Sequence, residues 1–240
     1  MKKILFLVLL PIILISCNKE IPVGHHADAR LTISHNVSGS FLIYDSLLYY
    51  NAAQNLYSVT RVEYYLSGFT FRKDYGEHYI AQDVLYLNAF DESNDFKIKG
   101  IPEGEYSGLS FYIGVDPKYN ISGALPSTME NLNMAWPDQM GGGYHFLKFE
   151  GHYKSADTIK GYATHLGLNP NLIKITFNEP FTITAEQQLA IDLSMDMNKW
   201  FEEPNLYDLT KDKVYTMGDM EAMAKIAENG KTVFELKQIK

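Results

Sequence analysis

The chain of 240 residues contains one cysteine, Cys17. A single thiol excludes an internal disulfide and a multi-thiolate metal site. No apolar run reaches the roughly 20 residues that a membrane-crossing helix needs. Positive charge is also scarce: 21 Lys and Arg face 29 Asp and Glu, for a formal net charge of −8. That balance argues against nucleic acid as a partner and against electrostatic adhesion to anionic lipid. The chain has no GxSxG, HExxH or P-loop signature, the spacings that mark common hydrolase, metalloprotease and nucleotide sites. Its paired carboxylates, Asp91-Glu92 and Glu202-Glu203, and Asp208 fall at expected loops or helix starts. The expected class is therefore a binding protein and not an enzyme. No stretch rich in Pro, Gly or Ser divides the chain, and no repeat is visible, so one domain is expected.

The first residues read differently from the rest. Lys2 and Lys3 precede an apolar run over 4–15, broken only by Pro11. The run is too short for a span and has the form of a secretory leader. It ends Leu14-Ile15-Ser16-Cys17, the pattern of a bacterial lipoprotein box. The expected organisation is a signal peptide over 1–16, a lipidated flexible tether over 17–29, and a folded domain over 30–240. Cys17 is the lipidation site, and acyl chains would hold the protein to a membrane. The expected location is the outer membrane or cell surface, facing the periplasm or the exterior. With Cys17 lipidated, a folded metal site has imidazole, thioether, carboxylate or backbone ligands to draw on.

Alternating apolar and polar residues mark strands over 31–35, 59–71, 81–88, 96–101, 106–115, 144–153, 160–166, 172–181 and 190–193. Residues 41–44 resume extended chain after the turn signal Asn36-Val37-Ser38-Gly39. Between 116 and 143 the pattern dissolves around Pro117, Pro126, Pro137 and several glycines. A long irregular stretch inside a compact domain is usually functional. Short helices are expected over 195–201 and 217–228. In the second, Met220, Met223 and Ala227 recur at helical spacing and are expected to pack in the core. The fold class is all-β: an antiparallel β-sandwich with a long irregular loop and a small C-terminal helical segment.

Chemistry concentrates in MAWPDQMGGGYHFLKFEGHY, residues 134–153, and in GYATHLG, residues 161–167. The first brings Trp136, Met140, three consecutive glycines and His145 into one segment. Soft sulfur and imidazole ligands favour copper(I). His145 and His165 sit on adjacent expected strands and can meet if both face one way. Strict alternation sets His145 beside Leu147 and Phe149. That row accommodates either a satisfied core histidine or a shielded copper site. Trp136 is either a packing residue or a shield for the metal. Glu150 is placed to orient a ligand histidine. His25 and His26 fall in the tether, while His78 and His152 are expected to be solvated.

Several phrases, taken together, resemble the MbnP-like family, periplasmic proteins associated with methanobactin gene clusters. They are LTISHNVSGSFLIYD, YSVTRVEYYLSGFTF, IPEGEYSGLSFYIGVD, MAWPDQMGGGYHFLKFEG, THLG and MAKIAENGKTVFEL, and they span about 30–236. The resemblance implies extracytoplasmic copper binding, with copper held as Cu(I). It also implies a di-haem peroxidase-like partner that oxidises a tryptophan to kynurenine. In a related group of copper proteins, two histidines and that kynurenine hold the metal. Trp136 matches the tryptophan of the family's loop, His165 its late histidine and His35 an early histidine position. Many members have a second tryptophan close by. Here 137–143 intervene before Tyr144, and His145 follows. The departure adds His145 and Met140 as soft candidates. Two other functions remain open: a glycan- or peptide-binding module built on the aromatic loop, and a substrate of the haem partner for which redox is the purpose.

Overall fold

A computed structural model describes residues 25–91, 95–185 and 188–240. Cys17, the leader and the tether up to residue 24 lie outside the described residues. The strands run in chain order as β1 (His26–Val37), β2 (Ser40–Phe41), β3 (Tyr49–Tyr50), β4 (Leu56–Tyr57) and β5 (Arg61–Arg72). Then come β6 (His78–Ile80), β7 (Val84–Asn88), β8 (Asp95–Pro102), β9 (Gly104–Tyr106) and β10 (Gly108–Ile113). After the irregular segment follow β11 (His145–Ser155), β12 (Thr158–Gly167), β13 (Ile173–Phe177), β14 (Phe181–Ile183), β15 (Leu189–Asp196) and β16 (Phe234–Ile239). The helices are α1 (Met129–Asn133) and α2 (Met220–Asn229). No helix among the described residues is long and apolar enough to cross a membrane.

Two main sheets form. One has the order β16-β15-β1-β2, with β8 also paired to β1. The other has the order β13-β10-β5-β11-β4-β3, with β12 on β11 and β6 and β7 on β5. β9 and β14 make a separate two-stranded ribbon. Alternation builds the first sheet's inner face: Ala27, Ala29, Leu31 and Ile33 on β1, and Leu189, Ile191, Leu193 and Met195 on β15, are all buried. Burial of each large aliphatic side chain contributes about 1.5–3 kcal/mol. Aromatic contacts tie the sheets face to face. Tyr64 on β5 meets Phe234 on β16 at 6.3 Å between ring centroids, and Phe111 on β10 meets Phe234 at 5.5 Å.

The expected all-β class is the observed one, with differences in detail. β1 and β15 pair in parallel, within sheets that are otherwise antiparallel. β1 also begins at His26, so residues 26–29 belong to the sheet and not to a flexible tether. The expected strand over 172–181 is two strands separated by Pro180. The expected helix over 195–201 is instead the end of β15 and a 3-10 turn over Met197–Phe201. The Asp196 side chain caps that turn by accepting from Asn198 N at 3.0 Å. The turn buries Trp200 and Phe201. α2 is capped by Asp219, which accepts from Ala222 N at 3.0 Å, and it buries Met223 while Met220 is exposed.

His35 projects from β1 into the space between the sheets, where its Nε2 lies 2.8 Å from the Tyr64 hydroxyl. Burial raises the Tyr64 phenol well above its usual range, so it keeps its proton and donates to a neutral imidazole. Burial pushes His35 down to about 4. The unfolded ring protonates near 6.5, so between those values the unfolded state binds more protons. Stability is therefore full above about pH 6.5 and is lost as pH falls toward 4. A loss on the order of 2–3 kcal/mol is expected, because each tenfold change in proton affinity is worth about 1.36 kcal/mol and partial exposure reduces the total. Urea midpoints between pH 7.5 and 4.5 check this. His35→Gln should make the profile shallower, and an unchanged slope would remove His35 as a source of it.

Candidate metal centre

The site is made by an irregularity in the β11–β12 pairing. His145 pairs with Gly167, Leu147 with Leu166, and Lys148 with His165, so the register shifts between His145 and Leu147. A bulge of this kind reverses which face the following side chains occupy. Leu147 and Phe149 therefore point into the sandwich, where Phe149 stacks on Phe201 at 5.2 Å. His145 points to the opposite, outer face together with Lys148, Glu150 and His165. This corrects the expectation that His145 shares a face with Leu147 and Phe149. His152 is on that outer face too, farther along the strand and exposed.

The irregular segment folds back over this face. Its backbone is tied to the strand by His145 N donating to Met134 O at 2.7 Å and Trp136 N donating to Gly143 O at 2.9 Å. The Gly143 and Tyr144 amides donate to Ser122 Oγ and Asn120 Oδ1, each at 2.9 Å. Gly143 has φ +87°, and a Cβ there would lie 2.3 Å from Asn120 Oδ1. Only glycine permits both the left-handed backbone and that approach.

Beneath the loop, the His145 and His165 rings lie 5.1 Å apart at 88°, and Trp136 meets His145 at 4.8 Å and 60°. Trp136 is 2% exposed. Its indole rests on Gly167, where a Cβ would come within 2.4 Å of the ring. Trp136 Nε1 donates to Met140 O at 3.1 Å. Met140 is thus joined to the site through its carbonyl. Its side chain is 37% exposed, and its methyl packs against Gly218.

Hydrogen bonds set the tautomers. His145 Nδ1 is 3.1 Å from Met134 O. A carbonyl only accepts, so Nδ1 carries the proton and Nε2 the lone pair. His165 Nε2 is 2.7 Å from Glu150 Oε1. The hydrogen bond with His165, helped by Arg61 and Lys148, holds the Glu150 carboxyl below its usual range. The carboxylate accepts, so in the neutral His165 ring the lone pair is on Nδ1. Thr216 fixes the His165 backbone, accepting from its amide at 2.8 Å and donating to its carbonyl at 2.6 Å. Burial, with Lys148 and His165 nearby, pushes His145 down to about 3, against the opposing pull of the Met134 and Ala135 carbonyls. The ring is neutral at physiological pH.

The structure brings together His145, His165 and Trp136 and adds the Met140 carbonyl. It does not bring His35 to them. Tyr64, the partner of His35, pairs with Leu147 on the inner face, so His35 and the histidine pair lie on opposite sides of one sheet. Among the described residues, no three His, Cys, Asp or Glu side chains group to hold a metal ion. The two imidazoles are the metal-ligating side chains that the site brings together.

Sequence reasoning missed Lys148. It is buried, with Nζ donating to Asn133 O at 2.5 Å, and it stands opposite both Glu63 and His165 in register. Arg61 links Glu63 at 2.9 Å and Glu150 at 3.4 Å. The signal was present as Lys148 and Glu150 two apart in an otherwise apolar strand, since such charges are rarely buried unpaired. Glu150→Gln should weaken metal binding by about 10–100-fold through loss of ring orientation. A chelator-competition titration checks this, and an unchanged affinity would show that Glu150 does not orient His165.

Two packed β-sheets with an imidazole pair and an indole under a surface loop define an all-β protein with a candidate soft-metal centre. The chain belongs to the MbnP family, whose model matches residues 26–219. Its fold is similar to that of MbnP from Methylosinus trichosporium, with a TM-score of 0.55 and 19% identity. The match covers 79% of this chain and 82% of that one. No curated protein matches the chain.

Proposed function

We propose that this protein binds copper(I) outside the cytoplasm, for acquisition, storage or delivery, and that its role is binding without turnover. The observation that supports this most is the imidazole pair. Each ring has one nitrogen committed to an oxygen acceptor and the other left as a lone-pair donor. Largely buried imidazoles suit a soft monovalent ion. The depressed His145 means that no proton need leave that ring on metal binding at neutral pH. Trp136 packs against His145 and shields it from water. MbnP membership supports an association with methanobactin and copper systems. The convergence of His145, His165 and Trp136 favours this reading over a loop that grips glycan or peptide.

The anchor in this account is lipid on Cys17, with the domain held at the outer membrane or cell surface. The test of the function is an anaerobic copper(I) titration against a chromophoric chelator. One equivalent should bind, and binding should be retained after gel filtration. Protein that leaves all copper with a weak chelator would defeat the reading.

A second reading has its own support. The Trp136 indole is fixed by Met140 O and lies against His145, so oxidation by a di-haem peroxidase-like partner would change the donor set at the metal. Intact mass of protein from its native host distinguishes the two. Kynurenine at Trp136 favours a modified site, and an unmodified chain favours the imidazole pair alone.

A further inference from the structure

On the same outer face, across α1 from the histidine pair, lies a cleft of about 520 Å³. Its lining includes Val84 and Tyr86 of β7, Tyr119, Leu125 and Pro126 of the irregular segment, and Asn131 of α1. Val84 and Tyr86 pair with Ser67 and Tyr65 on β5, whose alternation from Glu63 sets them on the outer side of the sheet. The volume is that of a small-molecule site, since such pockets span about 300–1,000 Å³.

The polar groups around the cleft, which include the Glu130 carboxylate bonded to Thr128 and to its own amide, are engaged within the protein. Gln82 Oε1 accepts from the Tyr119 hydroxyl at 2.8 Å and from Lys118 Nζ at 3.3 Å. Asn131 Oδ1 accepts from the Tyr65 hydroxyl at 2.6 Å, and its Nδ2 donates to Pro126 O at 2.8 Å. Thr128 Oγ1 accepts from Asn131 N at 3.3 Å. A ligand that requires many hydrogen bonds would have to break these. A flat apolar ligand gains by stacking and by burial.

We propose that this cleft binds one neutral aromatic molecule of one or two fused rings, against Tyr86 and Tyr119, and that its occupancy is coupled to the metal centre. The coupling has a short path. Asn131 walls the cleft, and two and three residues later the Asn133 and Met134 carbonyls hold Lys148 and His145. A ligand that braces α1 also braces the acceptors of the metal-binding face. The coupling rests on the copper reading, whereas the cleft as a binding site does not.

The probe is 2-naphthol, titrated into metal-free and copper(I)-loaded protein and followed by fluorescence. Saturable binding to one site is expected in the metal-free protein. Tyr119→Ala should weaken it by roughly tenfold, the upper range for an aromatic pair, and Ala124→Trp should abolish it by filling the cleft. Unchanged melting temperatures would show that both variants fold. Copper(I) should tighten naphthol binding several-fold, and naphthol should tighten copper(I) by the same factor. Non-saturable binding, or equal binding in Ala124→Trp, overturns the site. Saturable binding that is indifferent to bound copper(I) overturns the coupling. If copper(I) itself fails to bind, the copper reading and the coupling fall together, while the metal-free titration still decides the cleft.

Discussion

His145→Ala is expected to lower copper(I) affinity on the order of a thousandfold, about 4 kcal/mol at 1.4 kcal/mol per decade. A centre built on two imidazoles keeps a single soft donor after either is removed, so His165→Ala should cost a similar amount. The double variant should add little, because the first loss already dismantles the pair. His35→Gln and His152→Ala provide the contrast. His35 lies on the other side of the sheet, bonded to Tyr64, and His152 lies exposed farther along β11, so neither should move the affinity. Chelator competition measures all five variants on one scale. If His35→Gln weakens binding as much as His145→Ala does, the metal is not held on the outer face.

Trp136→Ala is expected to destabilise the fold by about 3–5 kcal/mol, the range for truncating a large buried aromatic. For a domain of this size that corresponds to a fall in Tm of roughly 10 °C or more. The indole is nearly wholly buried and seated on Gly167, and its Nε1 pins Met140 O. Removing it leaves a void under the loop and frees the turn that carries Met140. Trp136→Phe keeps part of the packing and should lose less. Thermal and urea denaturation of the metal-free variants read this without interference from copper. A Trp136→Ala protein as stable as the parent would mean that the loop does not depend on its tryptophan.

The parts of the fold that were legible in the sequence are those whose register a single strand encodes. Alternation in 59–71 and 144–153 places β5 and β11, and the Met220–Met223–Ala227 spacing marks α2. What alternation does not encode is a change of parity. The bulge after His145 turns it away from Leu147 and Phe149, and nothing in YHFLKFEG reveals which residue is the extra one. Strict period-two reasoning therefore places His145 on the wrong face, although it does put it on a strand adjacent to that of His165. The parallel pairing of β1 with β15 joins segments about 160 positions apart, as in Ser34 with Ser194, and pairing at such a distance has no local signal. The strand β16 was missed because FELKQI follows a helix stop and alternates only weakly, with Phe234 as its one buried residue.

The site shows the same division. His165 and Trp136 enter as candidates through family resemblance, and His145 through its place in a soft-ligand segment. Glu150 was found through its position beside the strand core. Lys148 is not legible because a lysine in a strand is ordinarily solvated, and the loop carbonyl of Asn133 that gives this one a buried partner comes from another segment. His35 matched the family position but serves the sandwich interior, where Tyr64 satisfies it. A sequence position shared with a family identifies a strand more readily than it identifies the direction in which its side chain points.

The most direct test of the central claim is nitrogen-15 NMR of the imidazole rings, recorded before and after one equivalent of copper(I). His145 Nε2 and His165 Nδ1 should shift together. His145 Nδ1 and His165 Nε2 should stay protonated against Met134 O and Glu150, and the His35 signals should not move. Shifts confined to His25, His26 or His35, or none at any ring, would contradict it.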